Sequence, residues 1–151
     1  ASGADYLTRL AMAKSNIFVN RNQETAYFYQ YRDGAGQRLN GANRYTLTFK
    51  KGALPPVQGF WSLTMYDVPH FYLVDNPIGR YSLGDRSPGL EYGDDGSVTI
   101  SLQAASPGPG REANWLPTPT SGNFRPILRT YQPGQAILDS TYPMPSIIRT
   151  D

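Results

Sequence analysis

Three short runs in this chain, RYTLTFK (44–50), WSLTMY (61–66) and VTISL (98–102), alternate apolar and polar side chains residue by residue. Such alternation marks a strand with one face in a core, because successive side chains of a strand point to opposite faces. The runs predict Tyr45, Leu47 and Phe49, then Trp61, Leu63 and Met65, then Val98, Ile100 and Leu102 as inward sets. Apolar faces of this kind are dried by closing one sheet on another.

The segments between supply further strands and their turns. Residues 18–38 set Tyr27, Tyr29 and Tyr31 on one face before a turn at Asp33-Gly34. On a sheet that stripe is core or cross-strand packing, and on an open face it is an interaction surface. KGALPPVQG is a connection, since Pro55-Pro56 cannot continue a ladder. FYLV (71–74) and RYSLG (80–84) read as two strands around an Asp75-Asn76-Pro77 turn, and Asp94-Asp95-Gly96-Ser97 as a tight hairpin turn. A long loop, 105–123, leads to the strand FRPILRTY (124–131), where Pro126 implies an edge position or a bulge. The tail ILDSTYPMPSIIR is a short strand or an extended cover. Roughly seven to nine short strands with frequent turns predict an all-β antiparallel sandwich of jelly-roll type.

Only the first 20 residues depart from this pattern. Tyr6, Leu10, Ala13 and Ile17 fall at helical spacing, with Ser2 or Asp5 as cap, so residues 1–20 are expected as a helical arm and 21–151 as the sandwich. The arm carries an apolar stripe that needs a partner, which predicts a homo-oligomer or a repeating assembly. The start, ASGADYLTR, lacks the basic and apolar regions of a signal peptide, and beginning at Ala1 it fits a trimmed or processed product.

Composition removes several function classes. The 14 basic and 12 acidic residues are scattered without a Lys/Arg block, which argues against a nucleic-acid footprint. No apolar run approaches the roughly 18 residues of a membrane-spanning helix. Cysteine is absent, so disulfides, thiolate nucleophiles and Cys-ligated metals are excluded, and one histidine does not make a transition-metal site.

Several of these stretches together resemble one family. WSLTMYD, LVDNPIGRYSLGDRS, DDGSVTISLQ, SPGPGREANWLPTP and a closing F-x-x-x-L-R-x-Y (124–131) resemble the domain of unknown function 1214. That domain forms the C-terminal half of bacterial proteins whose N-terminal half is the domain of unknown function 1254. The leading segment, 6–49, is similar to the piece that joins the two halves. The resemblance implies a jelly-roll sandwich, a second β domain as companion, and a periplasmic, cell-surface or extracellular location. It supplies no reaction, and the DUF1254-like half is missing from this chain.

The chemistry-bearing residues allow two readings each. Asp67 and His70 can form a carboxylate–imidazole pair for general base work, but His70 is the sole histidine, lies in a connection and has no nucleophile motif beside it. No catalytic residue is assigned. Glu91, Asp94 and Asp95 suit a hard cation, yet Asp-Asp-Gly-Ser between strands is what a tight turn requires, so neither metal nor cofactor is expected. Trp115, with Glu112 and Asn114 nearby, suits a sugar ring, or else plugs an open end of the sandwich. Arg129 and Tyr131 leave one strand face and suit an anionic group, against the simpler pairing of Arg129 with Asp67 or Asp75. The candidate ligand-binding set is therefore Trp61, Tyr66, Asp67, His70, Glu112, Asn114, Trp115, Arg129 and Tyr131, with a glycan as candidate ligand. The aromatic cluster 59–81 is read chiefly as core. The expected function is a non-enzymatic structural or binding domain of a self-associating envelope or extracellular protein. The alternative is a hydrolase or lyase acting on a glycan or other polar substrate around Trp61, Asp67, His70 and Trp115.

Overall fold

The computed structural model describes residues 15–20, 25–68, 70–138 and 142–150. Among the described residues nine strands run in chain order: β1 (Ser15–Asn20), β2 (Thr25–Gln30), β3 (Tyr45–Phe49), β4 (Trp61–Asp67), β5 (Ser82–Gly84), β6 (Val98–Leu102), β7 (Trp115–Leu116), β8 (Phe124–Tyr131) and β9 (Ile148–Arg149). A 3₁₀ turn, Glu112–Asn114, precedes β7, and one helical turn, α1 (Gln135–Leu138), follows β8. The strands form a five-stranded sheet in the order β1-β2-β8-β4-β5 and a four-stranded sheet in the order β7-β6-β3-β9. All named pairings are antiparallel except the short β6–β7 pair, which is parallel.

The three alternating runs became β3, β4 and β6, with the expected inward sets. Tyr45, Leu47, Phe49, Trp61, Leu63, Met65, Val98, Ile100 and Leu102 are all buried. The sheets meet through ring contacts: Phe49 packs on Trp61 at 5.4 Å between centroids, and Tyr45 meets Phe124 edge-on at 5.6 Å. Aromatic pairs in tilted or edge-on geometry add to the area they bury, so these contacts help fix how the sheets sit on each other. The polar faces pair across the ladder as well, as in Thr48 Oγ1 and Thr99 Oγ1 at 3.0 Å.

Four expectations are corrected. The helical arm falls largely on residues 1–14, outside the described residues, but its end does not hold: Ser15–Asn20 is a strand paired with β2, and Ile17 lies opposite Phe28. The run SNIFVN carries Ile, Phe and Val, which suit a strand, and the free edge of β2 supplies the partner. The described helical turn lies instead near the C-terminus, at Gln135–Leu138. FYLV is not a strand; its only ladder contact is a bridge between Leu73 and Tyr66. Finally, β8 lies in the middle of its sheet, with Pro126 opposite Met65. Even-numbered residues of β8 turn their backbone groups toward the β2 side, as Phe124 N donating to Leu39 O shows. The β2 ladder ends at Tyr29↔Ile127, so the donor that Pro126 lacks removes no ladder bond.

The tail is an extended cover ending in β9. Gln30 Nε2 donates to Pro145 O, Gln30 Oε1 accepts from Ile147 N, and Ile147 is buried. Tyr142 closes the same flank: its ring meets Phe28 edge-on at 5.9 Å and its hydroxyl donates to Ala53 O at 2.8 Å. Burial pushes the Tyr142 phenol above its ordinary range. The buried phenol stays neutral while an unfolded tyrosine ionises near about pH 10, so unfolding releases a proton above that pH. The contribution is thus complete below about pH 10 and lost as the pH rises past it. Urea midpoints followed into alkali are expected to fall more steeply for the parent chain than for Tyr142→Phe. That variant forgoes one hydrogen bond, about 1 kcal/mol at neutral pH. Equal slopes count against a buried phenol.

Candidate functional site on the outer face of the five-stranded sheet

Strand alternation sends Ala26, Phe28 and Gln30 of β2 inward, and Tyr27 and Tyr29 outward. In β8 it sends Phe124, Pro126 and Leu128 inward and Arg125, Ile127, Arg129 and Tyr131 outward. Register then decides the neighbours. Tyr27 is opposite Arg129 and Tyr29 opposite Ile127 on one side, while Tyr66 of β4 is opposite Arg125 on the other. The tyrosine stripe is therefore half-buried on the outer face, where it meets two arginines.

Each guanidinium lies among aromatic rings. Arg125 Cζ stands 4.1 Å from the Phe71 ring centroid, 4.9 Å from Tyr29 and 5.3 Å from Tyr31. Its Nη1 donates to the Tyr31 hydroxyl at 2.7 Å. Arg129 lies 5.7 Å from the Tyr27 ring and 5.5 Å from Tyr66, and its Nη2 donates to the Tyr66 hydroxyl at 2.7 Å. A third arginine continues the series, with Arg86 4.2 Å above Phe60, which stacks on Tyr131 at 4.2 Å. Cations over ring faces are held by the ring quadrupole, more strongly where water is partly excluded. Among the described residues no carboxylate pairs with Arg125 or Arg129. Of the expected partners of Arg129, Asp67 Oδ1 accepts instead from Tyr72 N at 2.9 Å, and Asp75 is exposed.

The remaining candidates do not converge. Trp61 is 3% exposed in the core, with its backbone N–H on Asp85 Oδ1. His70 is exposed and stacks on Tyr72 at 5.5 Å between centroids. Trp115 is 3% exposed and its Nε1 donates to Gln103 O at 2.7 Å, so its ring has no open face for a sugar. Asn114 ties the connection between β5 and β6 to β6 itself, donating to Glu91 O and Thr99 O and accepting from Glu91 N. Glu112 exposes its side chain while its carbonyl accepts from Arg80 Nη1, which also reaches Trp115 O. Asp95 serves its turn: Oδ1 accepts from Ser97 Oγ and Ser97 N, and these bonds, the side-chain one first, hold its carboxyl below the usual range. Among the described residues no three His, Asp or Glu side chains gather to hold a metal.

Of the candidate set, Tyr66, Arg129 and Tyr131 share the outer face, whereas Trp61, Asp67, His70, Glu112, Asn114 and Trp115 do not join them. Arg125 and Phe71 were missed as site residues. The parity of Arg125 with Arg129 and Tyr131 was available in the sequence; the approach of Phe71 was not.

Two solved structures similar to this chain share the sandwich. Against a crystal structure of the VPA0106 protein from Vibrio parahaemolyticus the TM-score is 0.76 at 33% identity, over 86% of this chain and 31% of that one. An uncharacterised protein from Burkholderia cenocepacia has the fold at a TM-score of 0.52 and 20% identity, over 99% of this chain and 41% of that one. The chain thus spans less than half the length of either. No curated protein matches it. The family model described as a protein of unknown function (DUF1214) matches residues 24–135, most of the sandwich, and the chain belongs to that family.

Proposed function

We propose that this chain is a non-enzymatic binding domain of a longer bacterial protein, working through the arginine and tyrosine side chains on the outer face of its five-stranded sheet. One observation carries the reading: Arg125 and Arg129 are half-buried there, each donating to a phenol and lying over rings, and neither pairs with a carboxylate among the described residues. A cation drawn partly out of water is ordinarily matched by a counter-charge, so an unmatched pair is a surface that favours an anionic group from outside. The greater length of the solved relatives supports a companion domain beside this one. A jelly-roll description fits the way the chain alternates between sheets, from β2 to β3, to β4 and β5, to β6 and β7, then to β8. Location in the envelope or outside the cell, and self-association, belong to the same proposal; the exposed Phe71, Tyr72, Leu73 and Ile78 support the latter.

The hydrolase or lyase reading needs Asp67, His70 or Glu112 to act on a bound substrate, whereas Asp67 Oδ1 accepts from Tyr72 N, His70 stacks on Tyr72 and Glu112 lies in the turn before β7. Purified chain, screened against glycans and model esters, is expected to show no turnover, and to sediment as an assembly at high concentration. Turnover that His70→Ala or Asp67→Asn abolishes overturns the non-enzymatic class, and a monomer at high concentration removes self-association.

A further inference from the structure

The structure assigns, we infer, a binding site for a carboxylate with an apolar tail, centred on the side edge of the Arg125 guanidinium and covered by Phe71. The inference deepens the proposed function and rests on the same sheet face. Arg125 is the one described residue with a buried side-chain nitrogen that finds no partner, its Nε. Among the described residues its donors meet one acceptor, the Tyr31 hydroxyl, which takes Nη1. Leaving a buried donor of a charged group unmet is costly, so a structure that keeps one is strained there or awaits an acceptor. The Nε and Nη2 hydrogens form the side fork of a guanidinium, which matches the two oxygens of a carboxylate.

The surroundings select among anions. Phe71 lies 4.1 Å from Cζ, with Tyr29 and Tyr31 also within 5.3 Å. A planar carboxylate can lie in the plane of a guanidinium held between rings, where a tetrahedral phosphate needs more room. The cover itself is built to leave. Phe71 sits at φ 58, in the left-handed region that bulky residues avoid, and its side chain is 44% exposed. Lifting it relaxes a backbone strain and gives up only half-buried area. The same loop exposes Tyr72 and Leu73, and Ile78 follows, so an apolar tail leaving the site meets apolar surface.

The test follows the Arg Nε–H resonances of the labelled chain, with the Arg125 signal identified by its loss in Arg125→Lys. Hexanoate is expected to move that signal to saturation. Acetate should bind at least tenfold more weakly, since the tail contributes, and inorganic phosphate more weakly than hexanoate. Phe71→Gly, which suits a positive φ and removes the cover, should tighten hexanoate binding several-fold. If the Arg125 signal stays still in both the parent chain and Phe71→Gly, the site does not exist, whatever the turnover screen shows. Phosphate binding as tightly as hexanoate, or acetate equal to it, overturns the assigned ligand class.

Discussion

Trp61→Ala is expected to lower the free energy of unfolding by about 3–5 kcal/mol, the range for large aromatic truncations in cores. Trp61 opens β4 and is 3% exposed, and its indole packs against the fully buried Phe49 of the opposite sheet. Removing it empties a space between two sheets whose backbones are tied by ladders and cannot collapse far to fill it. For a domain of this size the loss corresponds to a fall in melting temperature on the order of 10 °C. Urea denaturation with unchanged slope measures it. A change below about 1 kcal/mol, with a ligand-binding defect in a stable protein, returns Trp61 to the recognition surface that its aromatic neighbourhood in the sequence suggested.

Legibility in this chain follows the range of the physics involved. β3, β4 and β6 were readable to within a residue or two because exclusion of water acts on each strand's own alternation. β1 was hidden because Tyr6, Leu10, Ala13 and Ile17 keep helical spacing, and a local period cannot show where it stops; pairing with β2 decides that. Pro126 argued for an edge, but the consequence of a missing donor depends on how far the neighbouring ladder extends, which is set by β2. Arg129 and Tyr131 were correctly put on one face. The partner of Arg129 was not, because parity says which way a side chain points and not which strand lies alongside. The Arg125 cage needed three segments, β2, β8 and the 70–73 loop, to meet. No stretch of sequence carries that information by itself.

Gly84→Ala is the second large effect, and its reason is space. Gly84 belongs to β5 and pairs with Ser62, and a Cβ built on it falls on the carbonyl oxygen of Trp61 and 3.1 Å from Ser62 Cα. Both obstacles are backbone of β4, so neither can rotate away, and the edge strand has to shift outward. Its turn shifts with it, because Gly84 N donates to Ser87 Oγ at 2.9 Å and Gly84 O accepts from Ser87 N at 3.0 Å. Overpacking against fixed atoms falls at the upper end of its usual range, about 3 kcal/mol. Gly52→Ala provides the comparison: nothing lies within 4 Å of its Cβ position, but φ is 80. That substitution carries only the conformational strain of a left-handed residue, about 1 kcal/mol. The expected order in urea is therefore Gly84→Ala well below Gly52→Ala, with amide exchange at Met65, which donates to Tyr81 O, quickened only in the former. Equal stabilities of the two variants are incompatible with the close approach of β5 to β4.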